Sequence, residues 1–264
     1  METRWVEGRA GQLEVRHLSA SGPDVLLVHG AWSSSWYWEE HFMAFLAERG
    51  FSVSVLNLRA HGKSEGQFRW SSLGDYVSDV RAVTETLDNP IIVGHSLGGF
   101  ITQRYVHVHG ARAAALLASV PHFGAWKALW KVVTHHPGAF LRTMARLNLL
   151  EVVAREEVGR ALLYSRGPDQ TDKDHFLQHR YDESFRIFID LLMQPILKPW
   201  PKDMPKFVMG AENDQLFSPA DVKGTARHHG TDATMIAGAS HMLMVDDQWE
   251  EAASALANWL ESLS

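Results

Sequence analysis

Short apolar runs that alternate with helix-like segments constrain the fold of this sequence more than any other feature. Residues 25–28 and 91–93 are continuous apolar runs and residues 114–120 are apolar except for Ser119, a pattern typical of strands buried on both faces. Strand character returns at residues 206–209 and 233–236, and the segments between most of these runs carry apolar residues at helical spacing. The alternation predicts an α/β fold with a mostly parallel central sheet that is flanked by helices.

The remaining elements follow from the same patterns. We expect further strands at residues 4–7, 13–18 and 51–58, and helices at 39–49, 72–87, 97–109 and 249–263. Between His122 and about Pro201 the periodicity is helical, and no run is typical of a strand. The sequence therefore predicts a core domain formed by residues 1–120 and 203–264, with a helical insertion at 121–202.

Composition excludes several classes of protein. The 264-residue chain has no cysteine, so disulfides, thiolate nucleophiles and cysteine-ligated metals are ruled out. The formal net charge is −6 and Lys and Arg form no dense run, so we expect no nucleic-acid partner. The N-terminus lacks a signal-peptide core and no stretch approaches the roughly 18 apolar residues of a membrane span, so we expect a cytoplasmic protein. The sequence does not distinguish a monomer from a homodimer.

A glycine-flanked serine joins the expected strand at 91–93 to the expected helix at 97–109. The segment Gly94-His95-Ser96-Leu97-Gly98 matches the pattern Gly-x-Ser-x-Gly. A serine hydroxyl is a weak nucleophile, and a sharp turn between a strand and a helix presents it to both a base and a substrate. The pattern alone also fits an ordinary turn. Its flanking strand and helix favour Ser96 as a nucleophile.

A second glycine turn, His29-Gly30-Ala31-Trp32, ends the strand at 25–28. Taken by itself, it is better explained as a structural turn in which His29 forms hydrogen bonds. Its position ahead of the serine turn favours a functional interpretation, because a tetrahedral intermediate needs preorganised donors for its oxyanion. We assign these donors to the backbone N–H groups of Ala31 and Leu97.

Candidates for the acid and the base follow the last two expected strands. Asp214 comes after residues 206–209 and His241 after residues 233–236, at the carboxyl ends where open α/β sheets bind ligands. The chain has 15 histidines, so residue type alone selects none; the order Ser96, Asp214, His241 selects His241 as general base. Glu212 is the rival acid, and an acidic turn with a helix cap at Asp214 is the structural alternative.

Together these segments resemble the α/β-hydrolase superfamily over nearly the whole chain. The segment 57–64 also resembles the superfamily's Asp-x-Arg-Gly-x-Gly-x-Ser turn, from which Asn57 and Ala60 depart. The resemblance implies an α/β-hydrolase fold, a catalytic triad of Ser96, His241 and Asp214, and a helical cap at residues 121–202. It implies no cofactor.

Aromatic residues of the cap and neighbours of the two glycine turns are candidates for the substrate pocket. We expect the pocket to include Trp32, His95, Phe123, Trp126 and Trp130. For most of the cap aromatics, a place in the core of the cap itself is the favoured alternative. The paired histidines at 135–136 and 228–229 lack the spacing of metal ligands, so we expect no metal.

The expected reaction is hydrolysis of a small carboxylic ester through an acyl-enzyme on Ser96, as in carboxylesterases and monoacylglycerol-lipase-like members. The same triad also serves lactonases, thioesterases, carbon–carbon bond hydrolases and cofactor-free haloperoxidases. Epoxide hydrolases and haloalkane dehalogenases are disfavoured, because they carry Asp where Ser96 stands. A ligand-sensing receptor on the same fold is the non-enzymatic alternative.

Overall fold

A computed structural model describes residues 1–164 and 179–263, and these form an eight-stranded sheet in the order β1-β2-β4-β3-β5-β6-β7-β8. The strands are β1 (Glu2–Gly8), β2 (Gly11–Leu18), β3 (Asp24–Val28), β4 (Ser52–Leu56), β5 (Ile91–His95), β6 (Ala114–Leu117), β7 (Lys206–Ala211) and β8 (Ala233–Ile236). β2 pairs antiparallel with β1 and β4, and all other pairs are parallel. The α/β class and the mostly parallel sheet are confirmed.

Helices connect the strands and cover both faces of the sheet. They are α1 (Trp36–Glu40), α2 (Phe42–Glu48), α3 (Leu73–Thr84), α4 (Leu97–His109), α5 (Trp126–His135), α6 (Pro137–Arg146), α7 (Leu150–Val153), α8 (Glu156–Leu163), α9 (Phe185–Met193), α10 (Pro219–His229) and α11 (Trp249–Glu261). The prediction of a single helix at 39–49 is wrong. The chain forms two helices, and the backbone of His41 leaves helical geometry between them.

The central strands are buried because helices lie on both sides of them. Residues 25–28 of β3 have no exposed surface, and β4, β5 and β6 are buried along their whole length. Local signals set the helix boundaries: Ser72 and Asp75 form a reciprocal capping box at the start of α3, and Ser218 and Asp221 form another at α10. Because these strands pair in parallel, their carboxyl ends lie along one edge of the sheet.

Helices α5 to α9 lie between β6 and β7 in the chain, and the described residues of 121–202 include no strand. Residues 165–178 of the expected cap, and residue 264 of the expected core, lie outside the described residues. The domain boundaries at 121 and 202 stay predictions.

Candidate active site

Ser96 lies at the tight turn between β5 and α4. Its backbone has φ 52° and ψ −117°, a conformation that non-glycine residues avoid because it is strained. Hydrogen bonds hold the strained residue: its N–H donates to the carbonyl of Leu117 at 3.0 Å, and its own carbonyl accepts from the N–H of Val120 at 3.0 Å. A side chain on Gly94 would collide with the carbonyl of Gly98, so the turn requires glycine there.

His241 and Asp214 meet Ser96 in a line of two hydrogen bonds. The Ser96 Oγ atom lies 2.9 Å from Nε2 of His241, and Nδ1 of His241 lies 2.8 Å from Oδ2 of Asp214. All three residues are buried. A carboxylate accepts, so Nδ1 carries the proton in neutral His241 and Nε2 is left to accept the Ser96 hydroxyl proton. This arrangement can remove a proton from Ser96 as it attacks a carbonyl.

The alternative acid, Glu212, does not reach His241. Its carboxylate is exposed and accepts the N–H of Gly238 at 3.0 Å. Asp214, by contrast, is fixed on both oxygens: Oδ1 accepts the N–H groups of Leu216 at 2.7 Å and Phe217 at 3.0 Å, which leaves Oδ2 for His241. The geometry therefore pairs Asp214 with His241 and leaves Glu212 outside.

Ala31 and Leu97, the two expected oxyanion donors, line the same cavity as Ser96. Leu97 is the first residue of α4, where N–H groups have no partner inside the helix. Throughout residues 1–164 and 179–263, neither N–H donates to a protein acceptor. Both donors are thus free for a ligand oxygen beside Ser96.

The loop before Ala31 is held by two buried aromatic side chains. Nε2 of His29 accepts the N–H of Leu58 at 3.1 Å, so its Nδ1 carries the proton and donates to the Gly30 carbonyl at 2.8 Å. Burial lowers the pKa of His29 to about 3, which keeps this ring neutral. The Tyr37 hydroxyl accepts the N–H of Gly30 at 2.6 Å. The N–H and the carbonyl of Gly30 are therefore both fixed, and the carbonyl belongs to the same peptide group as the Ala31 N–H.

His95 links this loop to the loop that carries His241. Its Nε2–H donates to the His241 carbonyl at 3.0 Å, so its Nδ1 is unprotonated and accepts the Tyr37 hydroxyl proton at 3.2 Å. Burial lowers the pKa of His95 well below its ordinary value, which matches the neutral ring that this pattern requires. One hydrogen-bonded chain, Gly30 to Tyr37 to His95 to His241, thus spans the two loops beside Ser96.

A cavity opens at Ser96 between the sheet edge and helices α5, α6, α7 and α9, and we call it the Ser96 cavity. Most of its walls are apolar; they include Trp32, Leu97, Leu129, Val132, Phe140, Met144, Ile187, Leu191 and Phe217. Trp32 lies in the wall, as expected, and its indole Nε1–H donates to the Leu149 carbonyl at 3.1 Å. The cavity is suited to an apolar chain attached to a carbonyl at Ser96.

The other four pocket residues expected from the sequence do not line the Ser96 cavity, so these predictions were wrong. Trp126 and Trp130 are 53% and 69% exposed, because α5 turns its other face, with Leu129 and Val132, toward the cavity. Phe123 lies in the loop before α5, where its ring stacks edge-on against His122. His95 is buried beneath the site and holds the His241 loop instead.

Acidic and histidine side chains of the described part of the chain form no group of three that could hold a metal ion. None of the helices described is long and apolar enough to cross a membrane.

Comparison with known families agrees with the fold. The sequence profile of the Alpha/beta hydrolase family matches residues 25–255. The chain belongs to this family. An esterase from Exiguobacterium antarcticum superposes on this alpha/beta hydrolase with a TM-score of 0.75 and 16% identity, covering 98% of this chain and 100% of that chain. At that identity the structural likeness indicates the fold alone.

Sequence relatives of this alpha/beta hydrolase match over shorter stretches. A non-heme haloperoxidase of Rhodococcus erythropolis is 35% identical over 106 residues, 38% of each chain. A pimeloyl-(acyl-carrier protein) methyl ester esterase of Chromobacterium violaceum is 29% identical over 160 residues, 55% of this chain and 60% of the relative. The matches span only 26% to 38% of the first curated relatives.

Sequence reasoning missed the role of Tyr37 in this alpha/beta hydrolase. Tyr37 lies in α1 without a recognisable motif, and only the fold brings its hydroxyl to Gly30 and His95. A weak signal was present, since a tyrosine among tryptophans shortly after the Gly30 turn carries one polar atom into an aromatic cluster. A buried tyrosine hydroxyl usually has a hydrogen-bond partner.

Proposed function

We propose that this alpha/beta hydrolase is a serine esterase that cleaves small carboxylic esters with apolar acyl chains. The observation that carries the proposal is the line Asp214–His241–Ser96 beside two free backbone N–H groups. A base, a hydroxyl nucleophile and oxyanion donors at one carbonyl position are the parts that acyl transfer requires.

In the proposed reaction, the Ser96 hydroxyl attacks the ester carbonyl while Nε2 of His241 takes its proton. The N–H groups of Ala31 and Leu97 stabilise the oxyanion, and Asp214 stabilises the imidazolium. When the carbon–oxygen bond breaks, His241 returns the proton to the departing alcohol. Water then attacks the acyl-enzyme with the same base, and the carboxylic acid is released.

The apolar walls of the Ser96 cavity support the choice of acyl group. Each methylene that leaves water for such a wall contributes about 0.8 kcal/mol, which is roughly a fourfold gain in kcat/KM while room remains. We therefore expect kcat/KM for p-nitrophenyl esters to rise from acetate through medium chains and to fall toward palmitate. A profile that falls steadily from acetate would contradict an apolar acyl pocket.

A panel of esters, thioesters and lactones tests the reaction class, with wild type and Ser96→Ala assayed side by side. We expect turnover of medium-chain esters by wild type alone. Preferred turnover of lactones or thioesters would reassign the substrate. Tight binding of an ester without turnover, together with an unreactive Ser96, would favour a receptor.

The haloperoxidase relative supports a second candidate activity. If hydrogen peroxide instead of water attacks the acyl-enzyme, the product is a peracid, which can oxidise bromide in solution. We would test this by following bromination of a dione in acetate buffer with hydrogen peroxide. If the rate of bromination exceeds the rate of ester hydrolysis and Ser96→Ala abolishes it, haloperoxidase activity is favoured over esterase activity.

A further inference from the structure

Two buried polar side chains, Thr143 and Glu183, interrupt the apolar wall of the Ser96 cavity. Each is only 2% exposed. Among residues 1–164 and 179–263, Oγ1 of Thr143 makes no hydrogen bond, and Oε2 of Glu183 makes no hydrogen bond beyond its ion-pair contact with Nε2 of His61 at 3.5 Å. Buried polar atoms are nearly always hydrogen-bonded, so two such oxygens in one cavity call for an explanation.

The position of Glu183 is fixed by its other carboxylate oxygen. Oε1 accepts the Tyr76 hydroxyl proton at 2.6 Å and the N–H of Ser184 at 2.7 Å. Neither Tyr76 nor Ser184 lines the cavity. Tyr76 and Ser184 thus hold the carboxylate from behind, while Glu183 itself belongs to the cavity lining.

His61 compensates the charge of Glu183. Nδ1 of His61 lies 3.0 Å from the carbonyl of Arg59 and so must carry a proton, while Nε2 lies 3.5 Å from Oε2 of Glu183. If Nε2 were unprotonated, its lone pair would face a lone pair of the carboxylate, and the two would repel each other. The His61–Glu183 pair therefore holds a second proton. Burial acts to lower the pKa of His61, but the Glu183 carboxylate outweighs it and the pKa is raised. The pair therefore adds no net negative charge to the wall.

Thr143 lacks the bond that a helical threonine ordinarily makes. Such a hydroxyl usually donates to the carbonyl four residues earlier. Thr102 and Thr225 do so, at 2.8 Å and 3.1 Å. The Thr143 hydroxyl, in α6, makes no such bond among the described residues, and Thr143 belongs to the cavity lining.

We infer that Glu183 and Thr143 form a polar subsite that binds a hydroxyl group on the acyl chain of the substrate. The substrate hydroxyl would donate to Oε2 of Glu183, and the Thr143 hydroxyl can donate or accept. A neutral hydroxyl fits better than an ammonium, because His61 already balances the carboxylate; a substrate carboxylate would be repelled. This inference rests on the proposed esterase function and names its substrate class as esters of hydroxylated acyl chains.

Paired substrates test the subsite. We would compare p-nitrophenyl octanoate with its analogues hydroxylated at carbon 3, 6, 7 or 8; carbons 4 and 5 are left out because their hydroxyls attack their own ester. We expect one hydroxylated ester to exceed octanoate in kcat/KM by about 10- to 100-fold, the range for a hydrogen bond to a charged group. Equal or lower kcat/KM at every position would overturn the inference.

Two variants test whether Glu183 and Thr143 cause the preference for a hydroxylated ester. Glu183→Gln keeps the shape of the side chain, and we expect it to lower the ratio of kcat/KM for the hydroxylated ester to kcat/KM for octanoate by about tenfold or more. Thr143→Val removes the second hydroxyl without changing size, and we expect a loss of about fivefold in the same ratio. Circular dichroism and urea unfolding report folding in both variants independently of the site. A preference that survives in both would place the subsite elsewhere.

A binding measurement separates this inference from the ester function. We would titrate Ser96→Ala with 1-octanol and with alkanediols of matched length by calorimetry, which needs no turnover. Tighter binding of one diol, lost in the Ser96→Ala/Glu183→Gln double variant, would support the subsite even if no ester is cleaved. Ester turnover with equal binding of alcohol and diols would leave the esterase proposal standing and refute the subsite.

Discussion

Tyr37 holds together the two loops beside Ser96, and Tyr37→Phe tests that link by removing a single oxygen atom. The hydroxyl accepts the N–H of Gly30 at 2.6 Å and donates to Nδ1 of His95 at 3.2 Å, in a side chain with no exposed surface. Its loss leaves two buried polar groups without their partner. Each such group costs about 1–3 kcal/mol, so we expect the free energy of unfolding to fall by about 2–4 kcal/mol after partial relaxation.

The same substitution should slow catalysis. The Gly30 peptide precedes the N–H of Ala31, and His95 holds the His241 backbone. Loss of a whole oxyanion donor costs about 10²–10³ in kcat, and a displaced donor costs less. We expect kcat to fall about 10- to 100-fold with little change in KM, because the apolar cavity walls stay in place.

Tyr105→Phe is the matched control for this experiment. The Tyr105 hydroxyl is also buried and bonds the Thr84 hydroxyl at 2.9 Å, but neither residue contacts the Ser96 cavity. We expect a stability loss of about 1 kcal/mol and an unchanged kcat. Steady-state kinetics on p-nitrophenyl esters and urea unfolding measure both quantities. A Tyr37→Phe enzyme with a kcat within twofold of wild type would refute the positioning role.

Three further predictions follow from the site and its surroundings. Asp214→Asn should lower kcat by about 10³–10⁴-fold, whereas Glu212→Gln should leave kcat within a few-fold of wild type. The reverse ranking in steady-state assays would show that Glu212, and not Asp214, orients His241. Leu129→Ala should raise KM for octanoate and Trp130→Ala should not, since only Leu129 lines the cavity; equal effects would contradict the observed orientation of α5. Burial lowers the pKa of His229 from 6.5 to about 3. Below pH 6.5 His229 therefore binds a proton in the unfolded chain, but in the folded chain it stays neutral until about pH 3. Stability should therefore fall with pH in that window by up to about 1.4 kcal/mol per unit, and His229→Gln should flatten the slope of unfolding free energy against pH.

The sheet and the line Asp214–His241–Ser96 were accessible from the sequence because each rests on a local pattern. A strand buried on both faces needs a continuous apolar run, and 25–28 and 91–93 have one. A residue that follows a parallel strand lies at one edge of the sheet, so chain order was enough to bring three distant residues together.

The same reasoning failed to identify the pocket residues in the helices between β6 and β7. Helical spacing places Trp126 and Trp130 on one face of α5, but it does not say whether that face meets the cavity or solvent. The packing of α5 against its neighbours, α6 among them, decides this, and it turns Leu129 toward the cavity. Thr143 and Glu183 lie in no motif at all, and only tertiary contacts bring them to the Ser96 cavity.

Reactivity of Ser96 toward a fluorophosphonate probe tests the central claim most directly, because the probe needs an activated serine and no knowledge of the substrate. We predict that the probe labels Ser96, that Ser96→Ala abolishes labelling, and that His241→Ala nearly abolishes it although the hydroxyl remains. Ser119→Ala, which removes a buried hydroxyl bonded to the Val120 carbonyl, should still be labelled. Labelling that persists in Ser96→Ala, or mass spectrometry that places the phosphonate on another residue, would contradict the account.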